Sequence, residues 1–139
     1  MNALETVHYE WRLRMKLLVV DDEQDVSLLF QQRFRKEVQS GQLEMGFALS
    51  GAAALEYLDK HGTEGCKLIL SDINMPGMNG IELLKIIKQR YPDLKVFMIT
   101  AYGDENNYTS AMKNGADDYF TKPIEFELLK GKINNLPTL

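Results

Sequence analysis

Four short apolar runs in this chain each lead into a residue able to do chemistry. Leu17-Leu18-Val19-Val20 runs into Asp21-Asp22, Leu68-Ile69-Leu70-Ser71 into Asp72, Val96-Phe97-Met98-Ile99 into Thr100, and Tyr119-Phe120-Thr121 into Lys122. Short buried runs separated by amphipathic helices describe a parallel α/β sheet, whose ligands gather outside the carboxyl ends of its strands. Residues far apart in sequence then converge on one edge. Three carboxylates there repel, since two unit charges about 4 Å apart cost roughly 4 kcal/mol at an effective dielectric of 20. The cluster therefore calls for a cation. Hard carboxylate oxygens with room for water suit magnesium; zinc would have only His8, His61 and Cys66 to draw on. With Lys122 as a second positive charge and the Thr100 hydroxyl nearby, the set forms a receptor for a phosphoryl group carried on a carboxylate.

Taken singly, each of these residues has a plainer reading. Asp21-Asp22 could cap a helix and favour its first turn. Asp72 before Ile-Asn-Met-Pro-Gly could start a turn, Thr100 could merely end a strand, and Lys122 could be solvated. Pro76-Gly77 and Asn79-Gly80 follow from turn geometry and support a loop whatever the chemistry. Tyr119, on an apolar run, reads first as core.

The elements that must hold these residues alternate strictly. Strands are expected at 16–20, 43–49, 67–71, 95–99 and 117–120. A helix over 24–38 carries Val26, Leu29, Phe30, Phe34 and Val38 at helical spacing, and Gly41 ends that region. Ser50 caps a short helix that His61-Gly62 stops. Asn79 caps one with Leu83, Leu84, Ile87 and Tyr91 facing inward, ended by Pro92. The helix of about 104–114 has only Tyr108, Ala111 and Met112 for an inward face before Asn114-Gly115 stops it. At roughly 1.5 to 3 kcal/mol per large buried side chain that is a thin anchor, and this should be the loosest helix. A last helix spans about 125–136 despite Gly131, which costs about 1 kcal/mol relative to Ala. Right-handed crossovers turn this alternation into a doubly wound sheet with the acidic strand ends at its switch point.

A chain of 139 residues is one domain by length. A single cysteine, Cys66, excludes an internal disulfide and suits a reducing, cytoplasmic setting; no apolar stretch is long enough to span a bilayer. A net charge of −4 argues against direct nucleic-acid binding and for a protein or small-anion partner. No GxxxxGK or GxGxxG follows a strand, so nucleotide binding has no phosphate loop. An EF-hand fails too, because Pro76 and Gly77 break the ligand alternation and Leu83 stands where a bidentate Glu belongs.

The segments LLVVDDE, LSDINMPGMNGIELL, VFMITAYGD and GADDYFTKPI, in this order, strongly resemble the receiver domain of bacterial two-component response regulators, over about residues 15–136. The resemblance implies a flavodoxin-like (βα)5 fold with strand order 2-1-3-4-5. It implies that Asp72 is the phosphoacceptor, that Asp22, Asp72 and the Asn74 carbonyl hold Mg2+, and that Asp21 acts through water. Thr100, Lys122 and the Ala101 backbone N–H would contact the phosphoryl oxygens, and the Lys122-Pro123 bond would be cis. Tyr119 matches a switch aromatic coupled to Thr100, while Asn74 and Tyr102 match positions that tune phosphoryl lifetime. The implied partners are a histidine kinase or phosphotransfer protein and a downstream protein target. That target would read the surface made by the 104–114 helix, the fifth strand and the last helix.

Two other readings stand beside this one. A phosphatase of the haloacid dehalogenase type also uses a strand-end Asp, magnesium and a lysine, but needs a second Asp where this chain has Asn74. A receiver-like module whose phosphorylation goes unused would not need the intact acidic set. Nothing after residue 136 reads as an output domain, so the chain is expected to be either a stand-alone receiver or a receiver excised from a longer regulator. Residues 1–14 form an extension to the 15–139 domain. Val7, Tyr9, Trp11, Leu13 and Met15 alternate as in a strand, while Leu4, Val7, Trp11 and Met15 fit a helical face. A frayed extension is the plain reading; a homodimer or partner contact through Trp11 is the sharper one.

Overall fold

A computed structural model describes residues 15–64, 66–101, 103 and 105–136. Tyr102 and the 1–14 extension, with its Trp11 dimer reading, lie outside them. Five parallel strands, β1 (Met15–Val20), β2 (Leu43–Ala48), β3 (Cys66–Asp72), β4 (Lys95–Ala101) and β5 (Asp118–Lys122), lie in the order β2-β1-β3-β4-β5. This is the expected doubly wound sheet.

Alternation along the strands separates two cores. Leu18, Val20, Ile69, Val96 and Met98 face one side, against α3 (Gly51–His61), α4 (Gly80–Arg90) and α5 (Glu105–Lys113). Leu17, Val19, Leu68, Leu70, Phe97 and Ile99 face the other, against α1 (Gln24–Arg33) and α6 (Phe126–Asn134). Burial on both faces is why these strands read as continuous apolar runs.

Local signals place the helix ends as expected. The Ser50 side chain accepts from Ala53 N–H at 3.0 Å and Asn79 Oδ1 accepts from Glu82 N–H at 2.9 Å, so both cap their helices. Gly41, Gly62 and Gly115 take positive φ where the chain leaves a helix. The helix expected over 24–38 is interrupted, however: α1 ends at Arg33 and a short α2 (Arg35–Gln39) follows. Phe34, at φ −102 and ψ 15, is the joint. Backbone bonds continue through it, from Phe34 N–H to Phe30 O and from Val38 N–H to Phe34 O, both at 3.0 Å. The bend keeps the Phe34 ring in the core, stacked on Phe30 at 5.9 Å and edge-on to Phe126 at 6.1 Å. Val38 and Leu29, expected inward, are exposed.

α5 is anchored even more thinly than its sequence suggests. Ala111 is fully buried, but Tyr108 and Met112 are 50% and 40% exposed. Tyr91, at the end of α4, packs half-buried against the core as expected, while its hydroxyl reaches out and donates to Asp59 at 2.7 Å.

Candidate functional site

β3, β4 and β5 run one to two residues past their expected carboxyl ends, so Asp72, Thr100, Ala101 and Lys122 belong to their strands, while β2 stops one residue short of its expected end. Register fixes them against one another: Asp72 pairs with Ile99, Thr100 with Thr121 and Ala101 with Lys122. β1 ends one residue before Asp21, whose N–H still reaches Ala48 O at 3.1 Å. Beyond Asp72 the ladder runs one more step, from Ile73 N–H to Ile99 O at 3.0 Å.

These placements bring Asp21, Asp22 and Asp72 together, with one oxygen from each within 4.8 Å of the others. Asp21 and Asp72 are buried, at 4% and 5% exposure, while Asp22 opens to solvent. Lys122 reaches in from β5, its Nζ 3.2 Å from Asp21 Oδ2 and 3.6 Å from Asp72 Oδ2. Its ammonium loses solvation there, yet the charges of Asp72 and Asp21 outweigh that and hold it above the ordinary lysine range. The capping alternative for Asp21-Asp22 is not what forms: Glu23 is the N-cap of α1 without a side-chain bond. Asp21 instead accepts from Glu23 N–H through Oδ1 at 2.9 Å, which turns its Oδ2 toward Lys122.

Burial, and after it the charge of Asp21, pushes the Asp72 carboxyl up to about 6, against the pull of Lys122 and the Asn74 and Ile73 backbone N–H groups. One lysine does not neutralise three carboxylates, and the strain falls on Asp72. Hard oxygens in this number and spacing, with one open to water, fit a magnesium ion. Thr100 Oγ1 is fully buried and, among the described residues, is the one buried side-chain oxygen or nitrogen without a hydrogen-bond partner. An orphaned hydroxyl costs about 1 to 3 kcal/mol, so its place at this edge invites an acceptor. Asn74 is exposed just past Asp72, and Ala101 is exposed at the end of β4. Lys122-Pro123 is cis.

Tyr119 lies on β5, three residues before Lys122. It is half-buried on the α3–α4–α5 side, with its ring edge-on to Tyr108 at 5.0 Å and 89°. That contact ties it to the weakly held α5.

Gly80 opens α4 and is not the turn residue that Asn79-Gly80 suggests. Gly77 takes the positive φ in this loop, at 74°, whereas Gly80 takes none. Its role is close approach, because a Cβ there would collide with the Asp72 carbonyl oxygen and lie 2.7 Å from Ile73 Cα. The available signal was a glycine in the first turn of a helix already capped by Asn79, where alanine would favour the helix by about 1 kcal/mol.

A doubly wound parallel sheet that gathers acidic side chains and a lysine at its carboxyl edge is the architecture of a receiver domain of two-component systems. The family model of the response regulator receiver domain matches residues 17–134, and the chain belongs to that family. It is 33% identical over 124 residues to a chemotaxis protein CheY homolog of Campylobacter jejuni, covering 88% of this chain and 92% of that one. Identity to the response regulator protein FleR of Pseudomonas aeruginosa is 46% over 80 residues, covering 58% of this chain and 16% of FleR. Among solved structures it is similar to response regulator TrrA of Thermotoga maritima in complex with Mg2+-BeF, with a TM-score of 0.72 and 31% identity over 88% of this chain and 99% of that one.

Proposed function

We propose that this protein accepts a phosphoryl group on Asp72 from a phosphohistidine of a partner kinase or phosphotransfer protein, and then presents an altered surface to a downstream protein. The observation that carries this reading is the Lys122 ammonium lodged between the Asp21 and Asp72 carboxylates, at 3.2 and 3.6 Å, on the edge where Asp22 also arrives. An Asp72 oxygen attacks phosphorus in line with the departing imidazole. The P–O bond forms as the P–N bond breaks, and its electron pair returns to the imidazole. Lys122 follows the transferred charge onto the phosphoryl oxygens, joined by the Thr100 hydroxyl and the Ala101 N–H. Asp21, Asp22, Asp72 and the Asn74 carbonyl would hold Mg2+, with Asp21 acting through water. Bound there, Mg2+ offsets negative charge on the phosphoryl oxygens.

The orphaned Thr100 hydroxyl supports the switch, since a phosphoryl oxygen gives it the acceptor it lacks. Drawing Thr100 toward Asp72 makes room for Tyr119, and through Tyr108 the change reaches α5. This is a shift between two populations. Asn74 and Tyr102 tune how long the phosphoryl group lasts. A cleft lined by Val26, Leu29, Pro123, Ile124 and Phe126 opens beside Lys122 and supports docking of the phosphodonor next to the acceptor. The protein assists its own phosphorylation and dephosphorylation but does not turn over phosphate esters, because Asn74 supplies no general acid. Among the described residues no helix is long and apolar enough to cross a membrane; together with a kinase partner and a buried, unpaired Cys66, this favours a cytoplasmic setting.

Incubation with a small phosphodonor and magnesium should add the mass of one phosphoryl group, and Asp72→Ala should abolish the gain. A gain that survives the substitution excludes Asp72 as acceptor. Steady hydrolysis of a generic phosphate ester, lost in Asp72→Asn, excludes the receiver reading in favour of a phosphatase.

A further inference from the structure

We propose that Gly80 is a positioning residue for Asp72, so that the missing side chain on α4 sets where the acceptor carboxylate stands. The proposal rests on Asp72 being the acceptor. The Gly80 N–H donates to Ile73 O at 2.8 Å, and the same oxygen accepts from Met75 N–H at 3.2 Å. The first residue of α4 is therefore clamped to the peptide that follows Asp72. The three atoms nearest a Cβ at position 80 are all backbone: the Asp72 carbonyl oxygen, Ile73 Cα at 2.7 Å and the Asp72 carbonyl carbon at 3.0 Å. Backbone cannot swing aside as a side chain does, so a methyl group must move either α4 or Asp72.

Moving Asp72 alone is resisted on its other side. Ile73 N–H is bonded to Ile99 O at 3.0 Å, Asp72 is in register with Ile99, and Ser71 Oγ donates to Asp72 O at 3.0 Å. The acceptor is thus held between β4 and the start of α4, and its distances to Asp21 and Lys122 depend on how closely α4 seats. Misplacement by about 1 Å at a reacting centre costs on the order of 100-fold in rate.

Gly46 provides a control in which the crowding neighbour is a side chain. A Cβ there would meet the Tyr57 hydroxyl oxygen at 2.8 Å and its ring carbon at 2.9 Å, also closer than a Cβ tolerates but with a side chain, in β2 at the sheet's edge. Gly131 provides a stabilising background, since a Cβ there meets nothing within 4 Å and the substitution removes a glycine from inside α6. The experiment compares Gly80→Ala and Gly46→Ala, each combined with Gly131→Ala and with folding checked by circular dichroism. It measures the initial rate of phosphoryl acceptance from acetyl phosphate at saturating magnesium, and the magnesium dissociation constant by calorimetry.

The expected result is acceptance at least about tenfold slower and weaker magnesium binding in Gly80→Ala, with Gly46→Ala within about twofold of the Gly131→Ala parent on both. A folded Gly80→Ala protein that matches the parent on both readouts overturns the proposal, as does equal impairment in Gly46→Ala. Failure of Gly80→Ala to fold in the stabilised background also overturns it, by assigning Gly80 to the fold as a whole. If the parent itself gains no phosphoryl group on Asp72, the acceptor reading fails first and this proposal with it.

Discussion

Replacing Asp72 by Asn should make the metal-free protein more stable at neutral pH. The folded state raises the Asp72 carboxyl from 3.8 to about 6, chiefly by burial and next by the Asp21 charge. A folded-state value above the unfolded one means that the native protein holds this proton more tightly. The stabilising contribution of protonated Asp72 is therefore fully present below pH 4 and lost as pH rises through about 6. A shift of about two units corresponds to about 3 kcal/mol, which solvent access at the sheet edge reduces to about 1 to 2 kcal/mol. Asn keeps the shape, leaves Lys122 its 3.2 Å partner in Asp21 and removes the repulsion. With a urea dependence of about 2 kcal/mol per molar, the unfolding midpoint at pH 7.5 in a chelator should rise by about 0.5 to 1 M. At pH 4.5 the advantage should fall by more than half. An unchanged or lower midpoint for Asp72→Asn at pH 7.5, or an advantage that grows on acidification, would refute the claim that Asp72 is the strained member of the cluster.

Magnesium should reverse that order. Binding to the native carboxylates stabilises wild type by about 2.7 kcal/mol at 100 times the dissociation constant, and an unchanged wild-type melting temperature in millimolar magnesium would contradict the metal site. Thr100→Val removes the orphaned hydroxyl at nearly constant shape, so the unphosphorylated protein should be unchanged or up to about 1 kcal/mol more stable while phosphoryl acceptance slows. Urea unfolding paired with acceptance rates separates the two effects, and marked destabilisation would show that the hydroxyl is already satisfied. Phe34→Ala should cost about 3 to 5 kcal/mol, because that ring packs against both Phe30 and Phe126. A loss under 1 kcal/mol would show that the joint between α1 and α2 does not depend on it.

Strand ends were legible in the sequence because burial on both sheet faces leaves continuous apolar runs, and a polar residue after such a run has only the edge to occupy. The Asp21, Asp22, Asp72 and Lys122 cluster followed from that placement alone. Caps and stops were legible for the same local reason, as at Ser50 and Asn79. What escaped depends on contacts between distant segments. Helical periodicity could not show that Phe34 would bend its own helix to stay with Phe126, which is 92 residues away in sequence. Nor could it show that Tyr108 would spend its ring on Tyr119 and leave half its surface in water. Nothing in the local pattern pairs Lys88 with Asp117, yet they meet at 2.7 Å. Lys88 also donates to Leu94 O at 3.0 Å, and Asp117 accepts from Val96 N–H at 2.9 Å, which pins the far end of β4. Gly80 escaped because a close approach of backbones leaves only a missing side chain as its trace.

Chemical mapping of the modified residue decides whether Asp72 carries the phosphoryl group. Borohydride reduces an acyl phosphate to an alcohol, so protein treated with acetyl phosphate and magnesium and then reduced should yield homoserine at position 72 in peptide mass spectrometry. Without magnesium the conversion should be largely lost. Homoserine at position 21 or 22, or a phosphoryl group that resists borohydride, would rule out Asp72 as the acceptor.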